Sequence, residues 1–400
     1  MSASSSSPTE AKAVAPRCRH FGECGGCRLQ DISYEDQLAK KAQVVEALVK
    51  PLGWTAPVTV HPSPDTWYYR NKMEFSFQDV YPAPAAGEDY LRLGLKQRNR
   101  WDRVMNLAEC HLLSPEAPKL LDAVHAWARE AGLAPYNLHR QVGFLRHLVV
   151  REGKNTGERM VNLLTSPGEL PARGFVEAVK AAYPATTILR GVHAEKSDVA
   201  VSDKVEILDG PGTIQEKVLG KSFRISPYSF FQTNTRGAEL LYSLLREHLK
   251  ELGPKNLLDL YCGGGGIALS VADLCDRVMG VESVASAVED ARHNAAHNKV
   301  GNAEFMAAKV EELLPALASQ SIEVDTVIVD PPRSGLHPAA VAALKELAPT
   351  WVLYVSCNPK AMAEDLRRLS GQYDLRHLQV VDLFPHTDHL EAVALLRAVF

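Results

Sequence analysis

The 400-residue sequence lacks the features that mark membrane, secreted or repetitive proteins. No apolar run approaches the roughly 18 residues that a membrane-spanning helix needs. The first fifteen residues are small and polar and lack the apolar block of a secretory signal, so residues 1–17 are predicted to form a disordered tail. No internal repeat is present. These absences favour a cytoplasmic globular protein, and the length favours two or three domains. A monomer is the simplest expectation for its oligomeric state.

The chain also has little net charge, −4 at neutral pH. This balance argues against a protein that coats RNA without specificity, but it leaves room for a local basic groove. Two basic clusters stand out, RNKMEF (Arg70 to Phe75) and GLKQRNRWDR (Gly94 to Arg103). A pair of solvated basic strands would give the same pattern, so the clusters alone do not indicate a nucleic-acid partner.

Cysteines are few and odd in number, seven in all. Three of them, Cys18, Cys24 and Cys27, lie within ten residues. An odd count without a secretion signal does not fit a disulfide scaffold, and metal binding or catalysis is the expected use. On spacing alone, zinc and an iron–sulfur cluster are both allowed.

The part of the chain before residue 223 has the pattern of an α+β domain. Ser33 is a candidate N-cap for a helix over residues 33–50. Between residues 67 and 219, short alternating runs separated by Gly and Pro predict strands, and helical patterns occur at Glu116–Ala131 and Arg173–Ala182. This mixture is typical of an α+β domain with an antiparallel sheet, predicted over residues 18–222.

From Gly237 onward, strands alternate regularly with helices of 10–15 residues. This alternation predicts an α/β domain with a doubly wound, Rossmann-like and mostly parallel sheet over residues 223–400. The helix over 33–50 is a candidate to pack on this second domain.

A glycine-rich turn follows the first strand of this regular region. NLLDLYCGGGG (Asn256–Gly266) runs from an apolar strand into the start of a helix, and Glu282 ends the next strand, 23 residues after Asp259. Such a turn lets a ligand approach the backbone, and an acidic residue at that distance can hold ribose hydroxyls. A simple turn and a helix cap are the alternatives. A dinucleotide oxidoreductase and an S-adenosylmethionine enzyme both remain open, although the glycines do not match G-x-G-x-x-G.

Chemically active residues follow the later strands. DPPRSG (Asp330–Gly335) ends one strand, Cys357 ends the next, and His386, His389 and Glu391 precede the last. The carboxyl ends of parallel strands share one edge, where such folds bind ligands. A buried structural thiol is the alternative for Cys357.

A thiol beside a carboxylate suits methylation of uracil at C5, which is a poor nucleophile. Attack of a thiolate on C6 converts the ring to an enolate whose C5 takes a methyl group from a sulfonium donor. A base then removes the C5 proton so that the thiolate can leave. Amino-group methyltransferases, which also use D-P-P motifs, need no cysteine and typically have an aromatic residue where Arg333 stands here.

The motifs SPYSFFQTN (Ser226–Asn234), DLYCGGGG, DPPRSG, SCNP and HTDHLE, in this order, resemble the family of RNA uracil-C5 methyltransferases. The resemblance extends from Cys18 to the C-terminus. It implies that Cys357 is the nucleophile and Glu391 the base. It also implies that S-adenosylmethionine is the methyl donor, contacted by Gln232, Tyr261, Glu282 and Asp330.

Other residues have more specific implications. Phe230 would line the space for the target base, with core packing as its alternative. Lys309 departs from the family, which often has an acidic or amide residue near the adenine. Cys18, Cys24, Cys27 and the distant Cys110 resemble the 4Fe-4S site of the ribosomal-RNA branch, whereas Cys262 and Cys275 have no assigned role.

The resemblance therefore implies formation of 5-methyluridine in ribosomal RNA of the 23S type. Methylation of the transfer-RNA T-loop is the alternative, and a non-catalytic iron–sulfur RNA-binding protein is the alternative from another class. The target nucleotide is expected to be flipped from a loop or bulge. The candidate phosphate contacts are the basic residues of the two clusters, Arg70, Lys72, Lys96, Arg98, Arg100 and Arg103.

Overall fold

Two large sheets, one of eight strands and one of seven, organise the chain. The computed structural model describes residues 12–80, 82, 84–85, 88–202, 204–319 and 323–399. The helices are α1 (Tyr34–Val49), α2 (Ala117–Glu130), α3 (Ala172–Ala182), α4 (Thr235–Leu252), α5 (Gly266–Val271), α6 (Ala285–His297), α7 (Val310–Ser319), α8 (Pro338–Leu347) and α9 (Pro359–Leu369). No helix within these ranges combines the length and the apolar character needed to cross a membrane.

The strands fall into the two sheets and one hairpin. They are β1 (Thr59–His61), β2 (Lys72–Asp79), β3 (Leu91–Gln97), β4 (Arg100–Asn106), β5 (Leu145–Glu152), β6 (Arg159–Thr165), β7 (Thr187–Val192), β8 (Lys204–Asp209), β9 (Ile214–Val218), β10 (Lys221–Ile225), β11 (Asn256–Leu260), β12 (Arg277–Glu282), β13 (Ala303–Ala307), β14 (Thr326–Val329), β15 (Trp351–Ser356), β16 (Tyr373–Val381) and β17 (Glu391–Ala398). Strands β9 and β10 form the separate hairpin.

The C-terminal sheet has the order β1-β16-β17-β15-β14-β11-β12-β13. All neighbouring strands are parallel except β17, which runs antiparallel to both β15 and β16. Apolar residues of the central strands, such as Val327 and Val352, are completely buried between helices on the two faces. This burial on both faces explains the near-continuous apolar runs in the sequence. The predicted Rossmann-like α/β domain is confirmed.

An N-terminal segment completes this sheet. Strand β1 pairs in parallel with β16, and Val45 and Val49 of α1 join the same apolar core. The helix predicted over 33–50 thus packs on the C-terminal sheet, where the sequence analysis placed it as a candidate, and β1 is a further part of 18–222 that joins this sheet. A three-residue strand is too short to have a readable period in the sequence. The predicted tail needs correction: Ala13 pairs with Ile32, while residues 1–11 lie outside the described residues.

The second sheet has the order β4-β3-β2-β5-β6-β7-β8. It is antiparallel except for the pair β6–β7, which the crossover helix α3 connects. Helices α2 and α3 cover one face, where Phe75, Leu148 and Leu163 are completely buried. Lys72, Ser76 and His147 lie on the opposite face, since Ser76 pairs with His147 and side chains alternate along each strand. One face of this sheet is thus core. The other, called the polar face below, carries polar side chains on β2 and β5, and also a small apolar cluster in which Met160 and Leu189 pack on Ile214 and Ile225.

A buried ion pair connects α1 to the segment that follows β16. Lys41 Nζ lies 2.6 Å from Asp382 Oδ1, and both side chains are almost completely buried. The Lys41 ammonium also donates to the carbonyl oxygen of Phe384, and the Tyr34 hydroxyl donates to Asp382. Burial lowers the pKa of Lys41, and the Asp382 carboxylate opposes that shift. The pair anchors α1 beside the loop that carries the HTDHLE motif.

Loss of one partner of this pair should destabilise the protein strongly. The Lys41→Met variant leaves the Asp382 carboxylate buried without its cation, and a loss of about 3–5 kcal/mol in the free energy of unfolding is expected. The double variant Lys41→Met/Asp382→Asn should recover part of the lost free energy of unfolding, because it no longer buries an unpaired charge. Urea unfolding measures both, with Lys40→Met as control because the Lys40–Asp388 pair is half-exposed. Equal losses for Lys40→Met and Lys41→Met would contradict the assignment.

Candidate active site

Three neighbouring strands deliver the predicted chemical residues to one edge of the C-terminal sheet. Asp330 follows β14, Cys357 follows β15 and Glu391 begins β17. Strands β15 and β17 are antiparallel, and Ser356 of β15 pairs with Ala392 of β17. Cys357, which follows Ser356, therefore lies opposite Glu391, which precedes Ala392. Reversal of β17 is what brings the start of that strand to the edge where the parallel strands end.

A single cleft of about 1020 Å³ contains this edge. Its lining includes the three residues above. It also includes five residues that the sequence analysis named near the donor or the target base: Gln232, Tyr261, Glu282, Phe230 and Lys309. A cavity of this size accommodates a ligand as large as a nucleoside together with a second ring. The sequence-predicted donor and chemical residues are therefore brought together in one space.

The thiol and the carboxyl group influence one another electrostatically. Glu391 is only 2% exposed, and burial, followed by the nearby Asp330, raises its pKa well above the usual value. Burial raises the pKa of the half-buried Cys357 thiol, and the Glu391 carboxylate raises it further. The Arg333 guanidinium acts in the opposite direction on both pKa values. Sequence reasoning gave no role to Arg333, although it stands in the DPPRSG motif.

The glycine-rich turn forms the other wall of the cleft. Tyr261, Gly263 and Gly265 have positive φ angles of 65°, 53° and 82°. A Cβ on Gly265 would come within 3.1 Å of Phe305, and one on Gly266 within 2.7 Å of the Tyr242 hydroxyl. The positive φ at Gly263 and Gly265 and the close contact at Gly266 disfavour side chains in this turn, and Gly263 lines the cleft with backbone alone. This arrangement fits a ligand that packs against the main chain.

Carboxylates hold this turn in place. Glu282 Oε2 accepts a hydrogen bond from the backbone N–H of Gly263, and its Oε1 accepts one from Val284. Asp259, absent from the predicted site, accepts from the N–H of Ala268 through one oxygen, while its other oxygen has no partner among the described residues. Burial, followed by Asp330, raises the pKa of Asp259 to about 8. Its position directly before the glycine turn was the signal available in the sequence.

Asp330 and Tyr261 also line the cleft, near the glycine-rich turn. Burial raises the pKa of Asp330 to about 7 and that of Tyr261 to about 12. Both groups are therefore in an environment that disfavours charge. Lys309 stands at the rim, where its ammonium pairs with Glu312 at 3.0 Å, so it presents a paired and exposed cation to the cleft.

The SPYSFFQTN segment between β10 and α4 is held by the second sheet. Arg151 of β5 is 3% exposed, and its guanidinium donates to the carbonyl oxygens of Pro227 and Ser229 at 3.1 and 2.6 Å. Asn71 donates from its side chain to the carbonyl oxygen of Gln232. These bonds fix the backbone on both sides of Phe230, whose side chain is 65% exposed. Contacts between residues so distant in sequence could not be read from the sequence.

The two basic clusters lie on the polar face of the second sheet. They line a groove of about 890 Å³ that includes Arg70, Lys72, Lys96, Arg98 and Arg100. Some of these cations are paired, Lys72 with Glu74 and Lys96 with Asp198. Arg103, the sixth predicted phosphate contact, is exposed on β4 beside the groove. We call this space the basic groove.

The four cysteines of the predicted cluster lie in one region, where Cys24 and Cys27 pack against the apolar core that includes Cys110. Burial, and after it the neighbouring thiols including Cys110, raises the pKa of Cys24 to about 11 and that of Cys27 to about 12, and burial raises the pKa of Cys18 in the same direction. Nevertheless, within the part of the chain that the structure describes, no group of three or more His, Cys, Asp or Glu side chains is arranged to hold a metal ion. The thiols are neighbours, but they do not form a ligand set in this arrangement.

Replacement of Arg333 should change the reactivity of the Cys357 thiol. In Arg333→Met the thiolate loses a stabilising cation, so its pKa should rise by about half a unit to one unit, as expected for one partly exposed charge. The measurement is the pH dependence of Cys357 alkylation by iodoacetamide, followed in the Cys357 peptide by mass spectrometry. Arg368→Met is the control, because Arg368 lines the same cleft but pairs with Glu364. An unchanged alkylation profile in Arg333→Met would contradict the assignment.

Known proteins share this fold and these motifs. The family model described as tRNA (Uracil-5-)-methyltransferase matches residues 204–399. An RNA methyltransferase of Clostridium tetani is 38% identical over 391 residues, which cover 96% of this chain and 84% of that protein. One from Caldanaerobacter subterraneus is 37% identical, with 96% and 85% covered.

A solved structure agrees with these matches. The Pyrococcus abyssi tRNA (uracil-54, C5)-methyltransferase, in complex with S-adenosyl-L-homocysteine, has a TM-score of 0.77 and 32% identity, with 93% of this chain and 85% of that chain covered. The similarity extends over both sheets and confirms the resemblance inferred from the motifs. The chain belongs to the S-adenosylmethionine-dependent RNA (uracil-5-)-methyltransferase family.

Proposed function

We propose that this protein forms 5-methyluridine in ribosomal RNA of the 23S type through a covalent adduct between Cys357 and C6 of the uracil. The observation that carries the proposal is the shared cleft, in which a thiol and a buried carboxyl group stand beside the glycine-rich turn. All of these side chains come from one chain, which is sufficient for a monomer. With this substrate the protein acts in the cytoplasm.

The cleft also fits the methyl donor. Gly263 presents bare backbone to the cleft, and the nearby Asp259 has a buried oxygen without a partner among the described residues. Gln232, Tyr261, Glu282 and Asp330 would hold S-adenosylmethionine, together with this turn. When bound, it supplies a methyl group on a positively charged sulfur.

In the proposed mechanism the Cys357 thiolate adds to C6, and the electrons of the C5–C6 double bond form an enolate across C5 and O4. Arg333 favours the thiolate by lowering the pKa of Cys357. After C5 has gained its methyl group, the Glu391 carboxylate removes the C5 proton. The double bond then forms again and Cys357 leaves as a thiolate. The raised pKa of Glu391 makes its carboxylate a stronger base than an exposed glutamate.

Methylation of transfer RNA is the second candidate. The observation that favours it is the similarity over both sheets to the Pyrococcus abyssi enzyme, which acts on uracil-54 of tRNA. The four cysteines of the predicted cluster favour ribosomal RNA instead, because in the family they mark that branch. An amino-group methyltransferase would have no use for Cys357, and a non-catalytic RNA-binding protein would have no use for Glu391.

Two variants separate the steps of the reaction. Cys357→Ala should abolish turnover and adduct, a loss of at least a thousandfold, because no other thiol lines this edge among the described residues. Glu391→Gln should instead accumulate a methylated covalent complex that survives denaturation, because the C5 proton stays in place. Denaturing gels with methyl-labelled donor detect it, and Cys275→Ala is the control.

The choice of RNA decides which function is correct. Unmodified large-subunit ribosomal RNA and unmodified transfer RNA are each incubated with labelled donor, and the methylated nucleotide is mapped. Label at C5 of a uridine in ribosomal RNA supports the proposal, and label in the T-loop supports the alternative. Methylated adenine, or a Glu391→Gln variant that turns over freely, would refute the mechanism.

We further propose that Cys18, Cys24, Cys27 and Cys110 bind a 4Fe-4S cluster with a structural or RNA-contacting role. Four cysteines are the usual ligand set of such a cluster. Cys24 and Cys27 pack against the apolar core that includes Cys110, which supports their proximity. Binding would require the thiols to draw together from the arrangement described above. The mechanism uses no electron, so no step depends on the cluster.

Anaerobic purification tests this second proposal. The protein should be brown and contain about four iron and four sulfide ions per chain. Cys24→Ser should lose the colour and most of the iron, whereas Cys275→Ser, which changes a thiol elsewhere in the fold, should keep both. Stoichiometric zinc in place of iron, or a colourless protein without metal, would overturn the proposal.

A further inference from the structure

Trp101 is exposed to an unusual degree for so large an apolar side chain. It is 65% exposed, which equals Phe230 and exceeds every other described large hydrophobic residue. It lies on β4, the edge strand of the second sheet, just after the turn in which Asn99 has a φ of 61°. Folding gains little from a tryptophan in this position, since most of its surface stays in water.

The surroundings of Trp101 combine an imidazole ring, apolar surface and cations. The His139 ring lies 6.1 Å from it, and Val142 in the same loop is 59% exposed. Among the described residues, neither Arg98 nor Arg103 forms an ion pair with a carboxylate. An exposed aromatic ring beside unpaired arginines is typical of surfaces that bind single-stranded nucleic acid, where a base stacks and the phosphates are neutralised.

The basic groove connects this surface with the active site. Trp101 and Arg98 line one part of it, and Thr233 and His389 line another. Thr233 also lines the catalytic cleft, and His389 is two residues from Glu391. Because Thr233 is common to both spaces, a strand that leaves its target base in the cleft can continue along the basic groove to Trp101, past Arg70 and Lys72. The groove lining also includes the carboxylates of Glu74, Asp198 and Asp388.

We propose that Trp101, assisted by His139, stacks on an unpaired base of the same RNA strand, outside the target nucleotide. This inference rests on the proposed function and extends it. The enzyme would recognise an unpaired nucleotide near the target uridine as well as the uridine itself. Stacking tolerates any base, so this contact selects loops and bulges against paired RNA without reading sequence. Phe230 and Trp101 then serve different nucleotides.

Binding measurements with the full-length protein test the proposal. The probes are a hairpin RNA with the target uridine in its loop and a fully paired RNA of the same length. Trp101→Ala should raise the Kd for the hairpin by about ten- to a hundredfold and leave that for the duplex unchanged. Trp101→Phe should bind the hairpin nearly as well as the wild type. Ile207→Ala, on the edge strand β8 and 59% exposed, is the control and should change neither.

Single abasic sites moved through the loop locate the stacked base. At one position outside the target, an abasic site should weaken binding by the wild type as much as the Trp101→Ala substitution does. The same abasic site should not weaken binding by Trp101→Ala any further. If Trp101→Ala binds every hairpin like the wild type while the wild type binds and methylates RNA, the stacking proposal is wrong and the proposed function stands. If the wild type neither binds nor methylates RNA, both are wrong.

Discussion

The reversal of one strand determines the chemistry of this protein. Because β17 runs antiparallel between β15 and β16, its first residue, Glu391, meets the residue that follows β15, Cys357. A parallel strand in this position would carry its first residue to the opposite edge of the sheet. The carboxyl group enters a buried environment next to Asp330, where its pKa rises, and Arg333 opposes that rise. The direction of β17 therefore determines both the position of Glu391 beside Cys357 and the buried environment that raises the pKa of Glu391.

The second sheet takes part in the site through its polar face. Arg151 on this face holds two carbonyl oxygens of the segment that presents Phe230, and Asn162 donates to the hydroxyl of Tyr228 in the same segment. Lys72 and His147 on the same face line the basic groove. One sheet thus supports the loop that is proposed to lie beside the target base and also provides the surface along which RNA is proposed to lie.

The sequence predicted what local patterns encode. Strands alternating with helices identified the Rossmann-like domain, and strand ends located Cys357 and Asp330 because parallel strands share one edge. Contacts between distant segments were not predictable. Strand β1 has three residues, Lys41 meets Asp382 across 341 positions, and Arg151 meets Ser229 across 78. Likewise, only the family resemblance linked Cys110 to the cluster of Cys18, Cys24 and Cys27. The spacing of cysteines in a sequence does not determine the geometry of a ligand set.

The most direct test of the central claim uses RNA in which 5-fluorouridine replaces uridine. Fluorine at C5 leaves Glu391 no proton to remove, so the adduct should persist. After incubation with S-adenosylmethionine and digestion, mass spectrometry should identify one peptide, containing Cys357, that carries a fluorouridine nucleotide with one added methyl group. A stable adduct on another cysteine, or methylated RNA without any adduct, would contradict the claim that this thiol and this carboxylate act on one pyrimidine ring.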